Sequence, residues 1–325
     1  MQNYKNDIFK ITDCNFKIKA LEAYRYQYEQ NKIYRQYSQQ LHRNPDNVHH
    51  LTDIPFLPID FFKHSDVYST CNEPQHYFLS SGTTGRQRSK HLMFDLNFYH
   101  HICKYCFEQR FSPLSESIIL ALLPGYTENP HSSLISMVKY FVESTGSKHS
   151  QFISPADNDV EMKIRHASEE NKPIYLFSVT HALLSLCKKK IDLNTIHIIE
   201  TGGMKGMGKE ITKEELFEKL QQDLHAYNIH SEYGMTELLS QAYAVRSYWY
   251  TPPPWMKVLI RELNDPFHVS THGKGAFNII DLANIETCCF IETQDMGMVN
   301  PDGLFYVSGR TDHSDVRGCN LLYLT

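Results

Sequence analysis

Three times between residues 118 and 224 a short apolar run is followed by a stretch of helical character: 118–123 then 133–143, 174–179 then 181–189, and 196–199 then 213–224. Apolar runs of four to six residues without polar alternation read as strands covered on both faces, and the helical stretches between them supply the cover. The pattern predicts an α/β fold with a mainly parallel sheet wrapped by helices. After about residue 255 the rhythm changes to short strands at 257–262, 275–281, 288–292 and 304–307, which predicts a β-rich subdomain in the form of a small barrel. Before the repeats, residues 15–43 are rich in Tyr, Gln and Arg, with Leu21, Tyr24, Tyr28 and Tyr34 near helical spacing, and Pro55, Pro58 and Pro74 punctuate a loop-rich stretch. The expected organisation is a helical N-terminal region plus an α/β core over 1–254, then the β-rich subdomain and a tail over 255–325.

Charge and composition exclude several classes. A net charge of −5 and a pI near 6.4 provide no basic field for nucleic acid. No run of 18 apolar residues exists, so no membrane span is expected, and the polar first ten residues lack a signal core. Eight cysteines in 325 residues fall short of a disulfide scaffold, and a cytoplasmic location is expected. Cys103 and Cys106, next to His100 and His101, suggest zinc at first sight. No second pair has ligand spacing, and residues 96–110 read as a helix that would turn both thiols into the core. Cys14, Cys71, Cys187, Cys288 and Cys289 carry no chemical signal.

Three separated segments carry the chemistry. The first is Ser80-Ser81-Gly82-Thr83-Thr84-Gly85-Arg86-Gln87-Arg88-Ser89-Lys90, after the strand-like Tyr77-Phe78-Leu79. Gly82 and Gly85 permit tight turns and close backbone approach, the hydroxyls of Ser80, Ser81, Thr83 and Thr84 can bond phosphate oxygens, and Arg86, Arg88 and Lys90 bring positive charge. Read alone, the segment is equally a polar surface turn. The second is Glu232-Tyr233-Gly234-Met235-Thr236-Glu237. The third is Glu292-Thr293-Gln294-Asp295 with Pro301-Asp302-Gly303 and Gly309-Arg310-Thr311-Asp312. A fourth stretch, residues 203–209, has the G-x-x-x-x-G-K spacing of a P-loop between a strand and a helix. The next residue is Glu210 where a Ser or Thr should hold magnesium, and a carboxylate there would repel phosphate, so the P-loop reading is set aside.

The three segments, in this order, resemble the signatures of adenylate-forming enzymes, the acyl-CoA ligase and luciferase superfamily: its phosphate-gripping loop, its Tyr-Gly-x-Thr-Glu motif, its Thr-Gly-Asp motif and its Gly-Arg-x-Asp hinge. Within it, Ser89-Lys90-His91 and the ending Arg317-Gly318-Cys319 resemble the acyl-protein synthetase (LuxE) branch, related to phenylacetate–CoA ligases. The resemblance covers roughly residues 50–325. It implies the fold of that superfamily's N-terminal domain, with the mobile C-terminal domain absent or vestigial, since only residues 311–325 follow the hinge motif. It implies ATP and Mg2+ as cofactors and activation of a fatty or aryl carboxylic acid to an acyl-adenylate.

By the same resemblance Glu237 organises magnesium, Tyr233 stacks on adenine beside Gly234, Thr236 bonds the α-phosphate, Asp295 takes the two ribose hydroxyls and Arg310 lies near the ribose. Gly202 and Gly203 would let the backbone lie against the adenine or the acyl chain. Gln294 departs from the family glycine and leaves the local backbone conformation open. Taken singly, Glu237 reads first as a helix-start glutamate, while Asp295 is equally a turn cap and Arg310 equally a surface arginine. Lys90 and His91 would contact the phosphates or organise the loop, or His91 simply begins a strand. Cys319 is the branch's acyl-carrying thiol, with Arg317 lowering its pKa and Gly318 giving reach; otherwise it is a buried tail cysteine. The expected activity is acyl-adenylate formation and transfer to a cysteine thiol, with a reductase or acyltransferase as the partner protein such a thioester would serve. The alternatives are a phenylacetate-type CoA ligase and a non-catalytic nucleotide-binding subunit of a larger complex.

Overall fold

The computed structural model describes residues 2–81, 87–125, 128–157, 159–202 and 211–310. These form two compact units. One comprises residues 97–236 and 241–250; the other comprises the described residues up to 96, 237–240 and 251–310.

The α/β unit is organised on a sheet whose strands run in the order Gln151–Phe152, Ile118–Leu122, Ile174–Ser178, His197–Glu200, Asn228–Tyr233 and Ala242–Val245. The first five are parallel and the last is antiparallel to its neighbour. Ile118–Leu122 and Ile174–Ser178 are buried at every position. Their continuous apolar character in the sequence follows from cover on both faces. The pleat still sorts them chemically. Ile118, Leu120, Leu122, Ile174, Leu176 and Ile198 meet an aliphatic layer that includes Leu183, Leu186, Leu216 and Leu220 from the helices Thr180–Cys187 and Lys213–Leu224. Tyr175 and Phe177 face the other way, into rings of Phe107, Phe111 and Phe141. Each such side chain contributes about 1.5–3 kcal/mol of burial. Cys103 and Cys106 lie buried on the helix Leu96–Glu108, as the helical spacing requires.

The helix Lys213–Leu224 starts at a reciprocal cap. Glu215 N donates to Thr212 Oγ1 at 3.1 Å, and Thr212 N donates to Glu215 Oε2 at 2.9 Å. The T-x-x-E spelling of that cap sets where the helix begins, and so where Lys213 stands.

The second unit is mainly antiparallel. Its larger sheet runs Leu57–Pro58, Phe290–Val299, Gly273–Asp281, Met256–Arg261 and Val269–Ser270. Phe305–Arg310 pairs with the same edge of Phe290–Val299 as Leu57–Pro58, further along that strand. Gly297 sits at a register shift there, and a Cβ on it would run into the Tyr306 carbonyl and the Phe277 ring. The expected short strands are present, but among the described residues the sheet is open rather than a closed barrel. Two of its outer strands are two residues long, too short to close a ring.

The N-terminal helices Asp13–Gln30 and Lys32–Gln40 pack on this unit through Phe16, Tyr24 and Tyr34, all fully buried. Buried amides on these helices are satisfied by a neighbouring loop: Asn31 Nδ2 donates to Thr287 O at 2.9 Å, and Cys289 N donates to Gln27 Oε1 at 2.9 Å. A separate hairpin, His76–Leu79 with Lys90–Met93, pairs Leu79 with Lys90 and carries residues 80–89 as its connection.

Candidate functional site

The mainly antiparallel unit holds Ser80, Ser81, Lys90, His91, Glu237, Asp295 and Arg310. The hairpin connection is closed at its base: Ser80 N donates to Ser89 O and Ser89 N to Ser80 Oγ, each at 3.0 Å, while Arg88 Nε donates to Ser80 O. Gly82, Thr83, Thr84, Gly85 and Arg86 lie outside the described residues. Lys90 Nζ pairs with Asp66 at 2.6 Å at the surface.

One strand residue later, His91 is fully buried, edge-on to Phe62. Its Nε2 lies 2.8 Å from Thr287 Oγ1. Thr287 donates its hydroxyl proton to Asn284 Oδ1 at 3.1 Å, so Nε2 is the donor to Thr287. Asn284 Nδ2 donates in turn to the carbonyl of Glu237 at 2.7 Å. The structure thus joins His91 to the main chain of Glu237 through one buried chain of hydrogen bonds.

Glu237 is itself 4% exposed. The segment it opens is held from beneath by Asp281, which accepts from Leu239 N, Ser240 N and Ser240 Oγ at 3.0, 2.9 and 2.7 Å. Burial pushes the Asp281 carboxyl up against the opposing pull of these donors. Trp255, fully buried, donates from its indole to the same Ser240 Oγ at 2.8 Å. Asp295 and Arg310 are register partners on adjacent strands, and Arg310 Nε meets Asp295 Oδ1 at 2.6 Å. The carboxylate is nearly buried and the guanidinium half-exposed. Around Gln294 the strand bulges: Glu292 pairs with Asn278 and Met296 with Ala276, so Asp295 lies in the bulge, with its N–H donating to Thr293 Oγ1 at 3.1 Å.

The α/β unit holds Gly202, Tyr233, Gly234 and Thr236. Gly202 takes a positive φ of 75° immediately after the strand His197–Glu200. Tyr233 ends the strand Asn228–Tyr233, edge-on to Tyr250 at 5.8 Å. A Cβ at Gly234 would collide with Glu232 Oε1. Glu232 is buried, and burial together with nearby Glu200 pushes its carboxyl up to about 8, so it is mostly neutral at pH 7. Gly203 and Cys319 lie outside the described residues.

Residues that the motifs do not spell out complete these arrangements: Asp281, Asn284 and Thr287 in one unit, and Glu200, Lys213 and Tyr250 in the other. A carboxylate ending the apolar run Ile198-Ile199-Glu200 was the available signal for the second group. Among the described residues no group of three or more His, Cys, Asp or Glu forms a ready metal cage, and no helix is long and apolar enough to cross a membrane.

Residues 10–324 match the family described as acyl-protein synthetase, LuxE. A long-chain-fatty-acid–luciferin-component ligase of Aliivibrio fischeri is 23% identical over 302 residues, 86% of this chain and 77% of the relative. A protein of the same description from Photorhabdus luminescens is 39% identical over 67 residues, 20% of this chain, and the match spans 57% of that relative's length. Among solved structures, a 2-hydroxyisobutyryl-CoA ligase in complex with 2-HIB-AMP superposes with a TM-score of 0.64 over 92% of this chain and 68% of its own, at 11% identity. That likeness establishes the fold as the α/β architecture of adenylate-forming enzymes.

Proposed function

The chain belongs to the LuxE family of acyl-protein synthetases, and we propose that it activates a fatty acid with ATP and passes the acyl group to its own Cys319. The observation that carries this reading is the extent of the family match, residues 10–324, which takes in every motif named above and Cys319. The buried, pinned state of Glu237 and Asp295 supports it, because carboxylates that only decorate a surface need no such anchoring.

In the proposed reaction a carboxylate oxygen of the acid attacks the α-phosphorus of ATP. The bond from that phosphorus to the bridging oxygen breaks, and pyrophosphate leaves with the electron pair. The thiolate of Cys319 then attacks the acyl carbonyl; the carbon–oxygen bond to phosphate breaks and AMP leaves, giving a thioester. The first step needs positioning and charge neutralisation more than covalent help. Asp295 takes the ribose hydroxyls with Arg310 fixing its carboxylate. Tyr233 and the turns at Gly234 and Gly202-Gly203 receive the adenine, and Thr236 bonds the α-phosphate. Residues 80–86 grip the outer phosphates with Lys90 at the base of their hairpin. His91, buried, holds the hairpin to the Glu237 segment. A magnesium ion suits Glu237, a nearly buried carboxylate on a pinned main chain, and would supply neutralisation of phosphate charge. A fatty acid is the expected substrate because the relatives are long-chain-fatty-acid ligases. A reductase or acyltransferase that consumes the thioester belongs to the same proposal.

Incubation with ATP, magnesium and a labelled fatty acid tests the whole reading. The protein should exchange pyrophosphate into ATP without CoA and acquire a label released by neutral hydroxylamine. Cys319→Ser should keep exchange and lose the label. Wild-type protein that never labels but makes acyl-CoA would be a CoA ligase instead. Wild-type protein that shows no exchange with any acid would favour a non-catalytic nucleotide-binding subunit instead.

A further inference from the structure

We infer that Glu200, held by Lys213, is a positioning residue that fixes the two adenine-side turns, at Gly202 and at Tyr233-Gly234, for adenylate formation; the inference rests on the function proposed above. Ser178, Glu200 and Ser231 are register neighbours at the carboxyl ends of three parallel strands. That end of a doubly wound sheet is where ligands bind, because the loops that leave it diverge. A carboxylate buried there to 2% exposure is costly unless it organises something.

Glu200 organises four segments. Its Oε1 accepts from Gly202 N and from Thr180 Oγ1, each at 2.7 Å. Its Oε2 accepts from Ser231 Oγ at 3.4 Å and lies 3.3 Å from Lys213 Nζ. The Gly202 bond holds the left-handed turn against the end of its own strand. The Thr180 bond ties that turn to the neighbouring crossover, where Thr201 N also donates to Ser178 O at 3.0 Å.

Lys213 extends the network to the second turn. Its ammonium donates to Tyr250 OH and lies 4.9 Å from the centre of the Tyr250 ring, which stands edge-on to Tyr233. Burial disfavours the Lys213 charge, but Glu200 and Tyr250 more than offset this and raise its pKa. One ion pair thus connects a turn after residue 200 with an aromatic at residue 233, although neither Glu200 nor Lys213 need touch the nucleotide.

The test is pyrophosphate exchange with ATP varied, on intact protein, beside a thermal melt. Glu200→Gln should raise KM for ATP about tenfold, the scale of one lost charged hydrogen bond, with a smaller change in kcat. Lys213→Met should do the same and Lys213→Arg should restore most of the loss. Lys219→Ala, which breaks an exposed pair on the same helix, should change neither. Where a single variant leaves an unpaired buried charge and fails to fold, two others carry the question. Glu200→Gln with Lys213→Met removes both charges together, and Thr180→Val deletes one donor without changing shape. Folded variants with a lowered melting temperature but an unaltered KM would reduce Glu200 to a purely structural role and overturn the inference. Wild-type protein without exchange would overturn the proposed function, and this inference with it.

Discussion

Replacing Glu232 by Gln should make stability less dependent on pH, in a direction and size set by one buried carboxyl. Glu232 lies opposite Tyr243 in the register of the two last strands of its sheet, and its carboxyl is pushed up from 4.5 to about 8 by burial and by Glu200. In an unfolded chain the same group ionises near its ordinary value. A folded pKa above the unfolded one means that the stability this group allows is fully present below pH 4.5 and is lost as pH rises through about 8. At 1.36 kcal/mol per pKa unit, keeping Glu232 neutral costs the fold about 3 kcal/mol at pH 7 and about 5 kcal/mol above pH 8. Glutamine has nearly the same shape and no charge to lose. Relative to wild type, Glu232→Gln should therefore gain about 3 kcal/mol between pH 4.5 and pH 7 and about 1.4 kcal/mol more by pH 9. Urea titrations of both proteins at pH 5, 7 and 9 measure this, with any difference in side-chain hydrogen bonding entering as a constant offset. A difference between the two proteins that is the same at pH 5 and pH 9 would mean that Glu232 ionises normally in the fold, and the reasoning would fall.

Other expectations follow from single contacts. Asp295→Ala should raise KM for ATP more than it lowers kcat, because the proposed bonds to ribose would exist in ground and transition states alike; the reverse pattern in exchange kinetics would place Asp295 in the chemistry. Glu237→Gln should cut the exchange rate about a hundredfold, and a normal rate would remove the metal assignment. Gly234→Ala must displace the Glu232 carboxyl and should cost about 1–3 kcal/mol; a melting curve indistinguishable from wild type would show that the turn has slack. Asp281→Ala strands the donors of Leu239, Ser240 and Ala283 and should cost about 3 kcal/mol or more, read by denaturant unfolding.

The parallel core was legible because its physics is periodic. Ile118–Leu122 and Ile174–Ser178 are apolar throughout since both faces are covered, and the T-x-x-E at Thr212 marks a helix start in the chain itself. The two-residue strands Leu57–Pro58 and Gln151–Phe152 were not legible, because so short a strand leaves no period to detect. Nor was the open sheet, which depends on which edge Phe305–Arg310 joins. In the candidate site, Glu237 and Asp295 could be picked out because each lies inside a contiguous motif. Arg310, which pairs with Asp295, lies in a motif as well, but most of the residues that hold the Glu237 segment and the Gly202 turn could not be picked out. Asp281 meets Ser240 across 41 positions, His91 meets Thr287 across 196, and Glu200 meets Ser231 across 31. No local spacing encodes such pairs, and a buried Asp or Glu looks like any surface carboxylate until its partners are in place.

The indole of Trp255 gives the protein an optical reporter on the segment that Glu237 opens. The chain has two tryptophans, and Trp255 is shut away from water with its N–H on the hydroxyl of Ser240, three residues from Glu237. Emission from an indole shifts to the red when solvent reaches it and changes intensity when its hydrogen bond is broken. With Trp249→Phe silencing the other tryptophan, the remaining fluorescence comes from the segment that Glu237 opens. Ligands that rearrange that segment become visible in a cuvette, without label, crystal or turnover.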